Sequence, residues 1–124
     1  MSKEQITLGE FIKQLKSCGQ REGKCVQFAF AGLAPTTFNS YRGFYDQLAL
    51  GYTTYSTEAQ LADLIKSAEA AVGKTYEGYK GGTYRMTLDT PLWVANYGDC
   101  GYCAVTGVID AGWTAVIETG FVEL

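Results

Sequence analysis

Ala104-Val-Thr-Gly-Val-Ile109, Asp110-Ala-Gly112 and Trp113-Thr-Ala-Val-Ile-Glu-Thr119 form the stretch whose reading decides the fold. Two runs rich in β-branched residues flank a short Asp/Gly turn, the pattern of an antiparallel hairpin. Working backward, Leu92 to Asn96 and Tyr84 to Leu88 repeat the pattern, so the chain from Thr83 onward reads as consecutive antiparallel hairpins. Pro91 has no N–H to give a ladder, which places it at the start of its strand or on an edge.

The first half supplies the helices. Thr7 and Glu10 have capping-box spacing, and Leu8, Phe11, Ile12 and Leu15 recur on one helical face, predicting a helix from Leu8 to Ser17 that stops near Gly19. Thr57 and Gln60 form a second capping box ahead of a stripe made by Leu61, Leu64, Ile65, Ala68 and Val72, with Gly73 at the helix stop. Between them, Cys25 to Phe30 alternates as a strand, with Val26, Phe28 and Phe30 on one side. Thr37 to Tyr52 reads as two short strands around a bend at Gly43. The expected class is α+β: an antiparallel sheet of short hairpins with two amphipathic helices packed on one side.

With 124 residues, 47% of them hydrophobic and 19% charged, the chain is expected to be a single domain, residues 1–124. No apolar run is long enough for a membrane span, and the opening Met-Ser-Lys-Glu-Gln lacks the apolar core of a signal peptide, so a cytoplasmic location is expected. All ten Lys and Arg lie at or before Arg85, whereas Asp89, Asp99, Asp110, Glu118 and Glu123 follow with no base among them. With a net charge of −3 and no basic run, duplex nucleic acid is not an expected partner.

The chain contains no histidine, which excludes Ser-His-Asp and Cys-His catalysis. Paired carboxylates would have to involve Asp89 or Asp99 near Asn96, and acids in turns are commonly turn formers. Cys100-Gly-Tyr-Cys103 has thiol-redox spacing, but strand and not helix follows it, so the dipole that would lower a thiolate pKa is missing. Adding Cys18 and Cys25 makes four sulfurs with spacing outside the usual zinc patterns. No metal, no cofactor and no enzymatic activity are expected.

Binding chemistry is better represented. In Tyr79-Lys80-Gly81-Gly82-Thr83-Tyr84-Arg85, the small residues admit a ligand to the backbone, Lys80 and Arg85 offer charge-assisted bonds, and Tyr79 or Tyr84 offers a stacking face. A plain glycine hairpin is the alternative. Tyr41-Arg42-Gly43 has similar logic, with Arg42 equally able to make a structural cation–π contact between Tyr41 and Tyr45. Trp93 to Asp99 ends a strand in a polar turn where Asn96 can read a base edge and Trp93 is platform or core. The candidate ligand residues are therefore Tyr41, Arg42, Tyr79, Lys80, Tyr84, Arg85, Trp93, Asn96 and Asp99. All nine tyrosines fall between Tyr41 and Tyr102, which points to a recognition surface and a homo-oligomer.

Ser40-Tyr-Arg-Gly43, Leu48-Ala-Leu50, Tyr79-Lys-Gly-Gly82 and Asp89-Thr-Pro-Leu-Trp-Val-Ala-Asn96 together resemble small phage-encoded proteins. The size, capped N-terminal helix and aromatic/cation clusters are also similar to the phage nucleotide sponges of the anti-Thoeris class. That resemblance implies sequestration, without cleavage, of a cyclic ADP-ribose-type signal or a cyclic oligonucleotide between subunits in the host cytoplasm. The residue choices above rest on their chemistry and not on the resemblance. The alternatives are inhibition of a host protein through the Tyr-rich face, and a Cys-x-x-Cys redox or zinc module.

Overall fold

The structure is a computed structural model and describes residues 4–19, 23–29, 33–41, 44–52, 59–78, 81–95 and 103–121. Helix α1 spans Leu8–Ser17. Thr7 caps it, its hydroxyl accepting from Glu10 N at 3.3 Å, and Leu8, Phe11, Ile12 and Leu15 are buried as their spacing requires. Helix α2 spans Leu61–Ala71. Here the expected capping box does not form: Gln60 occupies the cap position and makes no side-chain cap bond, and Thr57 lies outside the described residues. Tertiary hydrogen bonds take over, because Leu61 N donates to Lys24 O and Val26 N to Ala59 O, both at 2.9 Å, fastening the helix start to a strand. Val72 is the helix C-cap and only half-buried, with Ala71 taking the buried place, and Gly73 follows at φ +79°.

Strand β1 is Cys25–Phe28, β2 Thr37–Tyr41, β3 Phe44–Gly51, β4 Thr75–Glu77, β5 Thr83–Arg85, β6 Leu92–Val94, β7 Cys103–Asp110 and β8 Thr114–Phe121. Six of these make one sheet in the order β1-β8-β7-β6-β3-β2, and β4 with β5 makes a separate ribbon. The class is α+β. The β7–β8 and β2–β3 hairpins pair antiparallel as their sequences require, the latter about a bend whose Gly43 lies outside the described residues.

Not every strand joins a hairpin. β5 leaves the main sheet to pair with β4, which the sequence reading had missed, while Met86 to Leu88 carries no strand. β6 pairs parallel with β3, and β1 parallel with β8. The physical reason is the connection: α2 lies between β3 and β6, and a crossover through a helix returns the chain in its original direction. Pro91 lies just before β6, which is an interior strand, so of its two expected places the strand start is the one occupied.

Among the described residues, only Trp93 and Ala104 register directly between β6 and β7. Beyond them the N-terminal segment enters the gap, Ile6 N donating to Val105 O at 3.0 Å and Ile6 O accepting from Leu92 N at 3.1 Å. The sheet also curls, since β1 and β2 are its opposite edges and α2 contacts both. The core occupies the concave side, where α1 and α2 pack on Val26, Phe28, Leu48, Leu50, Leu92, Val94, Val105 and Ile117. Burying each such side chain contributes roughly 1.5–3 kcal/mol.

Candidate functional site

The glycine-rich β4–β5 turn carries the densest group of the expected chemistry. Tyr76 and Tyr84 sit opposite one another across the ribbon, flanked by the Thr75–Arg85 and Glu77–Thr83 pairs. Gly78 N donates to Gly82 O at 2.9 Å, and Gly81 and Gly82 take φ of +93° and +83°, conformations an L side chain resists. A Cβ on Gly78 would meet Tyr84 Cε2 at 2.8 Å and Tyr45 Cγ at 3.3 Å, so both rings lie directly on glycine backbone. The Tyr45 and Tyr84 centroids are 6.0 Å apart at an interplanar angle of 31°, and both residues are half-buried. The arrangement offers a partly exposed aromatic face over the buried Gly78, beside the exposed Gly81 and Gly82.

Arg85 does not share that face. Strand alternation sends it to the opposite side of the ribbon from Tyr84, where it is exposed, with Nη2 3.6 Å from the point a Gly73 Cβ would occupy. Tyr76 is nine-tenths buried, and burial pushes its phenol up from the ordinary value of 10.0. Lys74 Nζ stands 5.0 Å from the Tyr76 ring centroid, a cation–π contact. Tyr45, Lys74 and Tyr76 were not among the expected site residues. The alternation of Thr75-Tyr-Glu77 ahead of Gly78 was the signal that could have revealed the ribbon.

Tyr41 and Trp93 come together on the convex face of the sheet. Their rings stack with centroids 4.7 Å apart and planes within 10°, and the indole N–H donates to Gln47 Oε1 at 2.5 Å. Ala49, Trp93 and Ala104 line up across β3, β6 and β7, so two small side chains leave room for the indole to lie against the sheet. With Tyr41 at 0% and Trp93 at 3% exposure, this pair packs a second small core. Arg42, Tyr79, Lys80, Asn96 and Asp99 lie outside the described residues, so the structure brings together Tyr41 with Trp93 and Tyr84 with Tyr45, and separates Arg85 from Tyr84.

The other expected chemistry is placed as follows. Asp89 lies in a turn closed by Thr87 and Thr90, Asp89 N donating to Thr87 Oγ1 at 3.2 Å. Cys103 opens strand β7 and is buried, while Cys100 is outside the described residues. Among the described residues no group of three or more Cys, Asp or Glu is arranged to hold a metal ion, and no helix is long and apolar enough to cross a membrane. Near the end of α1, the buried Lys24 ammonium donates to the Cys18 carbonyl and, at 2.7 Å, to Asp110 Oδ1. Cys18 is a free thiol held above its ordinary value of 9.0, first by burial and then by Asp110, with Lys24 opposing.

Two open clefts run along the edge of β2 beneath α2. One, of about 210 Å³, is lined by Thr37, Ala70, Lys74 and Tyr76, the other, of about 150 Å³, by Pro35, Ala59, Gln60, Asp63 and Leu64. Thr36, Phe38 and Ser67 belong to both. Fold and site together define an α+β protein with a curled mixed sheet, an aromatic glycine ribbon and a grooved sheet edge. No family model, curated protein or solved structure matched the chain.

Proposed function

We propose that the protein acts by binding, sequestering a nucleotide second messenger of the cyclic ADP-ribose or cyclic oligonucleotide type without cleaving it, as a phage anti-defence protein in the host cytoplasm. The observation that carries the reading is the half-buried Tyr45–Tyr84 ring pair seated on Gly78. A base stacks on such a face whatever its hydrogen-bonding edge, worth about 1–3 kcal/mol per base. Lys80 and Arg42 hold phosphates in this reading, with Asn96 reading polar edges and Arg85 serving from the far side of the ribbon, in a ligand site between subunits of a homo-oligomer. Tyr41 and Trp93 support the adjoining chain from their buried stack.

Thermal-shift and calorimetric titration with cyclic nucleotides, followed by mass spectrometry of the released ligand, tests this. Stabilisation with recovery of intact ligand is expected, and Tyr84→Ala, Arg42→Ala and Lys80→Ala should each weaken it while leaving unfolding cooperative. Absence of stabilisation by any cyclic nucleotide sinks the reading.

A second reading, inhibition of a host protein, is favoured by a different surface. Ile109 and Trp113 at the turn end of the β7–β8 hairpin are 46% and 64% exposed, and Phe121 at its other end is 77% exposed.

A further inference from the structure

We propose that the groove between the edge of β2 and α2 is a docking site for an extended peptide, which adds to β2 as a seventh strand. β2 ends the six-stranded sheet, and among the described residues no strand pairs with its outer edge. A strand in that position answers the edge's backbone donors and acceptors, which is the basis of recognition by strand addition.

The groove is built for such an occupant and not for a compact small molecule. Its two clefts, about 210 and 150 Å³, each fall below the ~300 Å³ at which small-ligand pockets begin. They lie side by side along the edge, sharing Phe38 and Ser67. Alternate side chains of a strand, roughly 6.6 Å apart, fill two neighbouring pockets of this kind.

Charge gives the occupant a direction. Asp63, Ser67, Ala70 and Lys74 fall on the groove side of α2 and its exit at helical spacing, all four exposed. The small residues lie in the middle and the two charges at the ends. Asp63 shares its cleft with Pro35, which precedes β2, and Lys74 shares the other with Thr37, where β2 begins. A peptide antiparallel to β2, the commoner pairing, therefore carries its acid near its N-terminal end, facing Lys74, and its base near its C-terminal end, facing Asp63. The partner is a β-prone segment with an acidic residue four positions ahead of a basic one, both on the face turned to α2.

The test uses two fluorescent, end-blocked pentapeptides, Glu-Thr-Val-Thr-Lys and its reversal Lys-Thr-Val-Thr-Glu, whose two charges share one strand face, titrated by anisotropy against the full chain without nucleotide. The forward peptide should bind, the reversed one at least about tenfold more weakly. N-methylation of alternate amides should abolish binding. The double variant Asp63→Lys with Lys74→Glu should invert the preference, and unchanged circular dichroism of that variant separates inversion from misfolding. No binding of either peptide at millimolar concentration overturns the proposal, as does an orientation preference that survives the charge swap. Sedimentation of the chain alone adds a further outcome: a dimer that excludes the peptide overturns the proposal in favour of a second copy on this edge. Because no nucleotide is present, failure here leaves the sequestration reading standing, and the reverse holds.

Discussion

At the residue scale, two side-chain environments lead directly to measurements. The Cys18 thiol binds its proton more tightly in the folded chain than in the unfolded one, since burial and Asp110 both raise its pKa. Its contribution to stability is therefore complete below the ordinary value of 9.0 and disappears as pH climbs through the higher folded value. Melting temperature should begin to fall as pH rises above 9.0, and Cys18→Ala should flatten the decline. An unchanged slope in the variant would assign the alkaline transition elsewhere. At neutral pH the same thiol should resist alkylation in the native state. Gly78→Ala drives a methyl against Tyr84 and, at 3.1 Å, against the Gly81 carbonyl. A loss of about 1–3 kcal/mol in urea unfolding is expected, together with weaker nucleotide stabilisation if the ring pair is the platform.

At the element scale, α1 carries a local start signal of which the Thr7 half forms, while the Glu10 carboxylate accepts from Gln14: Thr7→Ala should cost about 1 kcal/mol in chemical denaturation. Lys24 closes the other end of the helix by bonding the Cys18 carbonyl, and also reaches the β7–β8 turn through Asp110. Lys24→Met keeps the stem and removes the ammonium. Because Asp110 is about half exposed and can return to water, the expected loss is moderate, about 1.5–3 kcal/mol. These elements also show what was legible in the sequence. α1 and the β7–β8 hairpin were, because each is specified by residues within a few positions of one another. The start of α2 was not, since Leu61 N donates to Lys24 O and Ala59 O accepts from Val26 N, partners distant in sequence that the local pattern does not contain. β4 offered only the three-residue alternation of Thr75-Tyr-Glu77, and the parallel β3–β6 pairing depends on the path through α2. At the site, Tyr84 was readable from its Gly-rich context, whereas the partnership with Tyr45 and the burial of Trp93 arise only from tertiary packing.

At the scale of the whole molecule, both ends of the chain meet in one sheet. Gln5 bonds Leu92, Val108 N donates to Gln14, and Lys24 reaches Asp110, contacts that span most of the sequence. Ile6→Pro removes the N–H given to Val105 without shortening the segment, and should lower stability by about 1–3 kcal/mol in urea titration. If stability is unchanged, the inserted segment is not an integral part of the sheet. Contacts of such long separation place refolding in the slow range, roughly milliseconds to seconds, for a chain of this size. The insertion of Ile6 between β6 and β7 also bears on how the protein is made. During synthesis Ile6 emerges well before its hydrogen-bond partners Leu92 and Val105, so the part of α1 that packs on β7 stays uncovered until that strand has been translated. A nascent chain arrested before β7 would be unable to complete this sheet, and that interval is when a chaperone has most to cover.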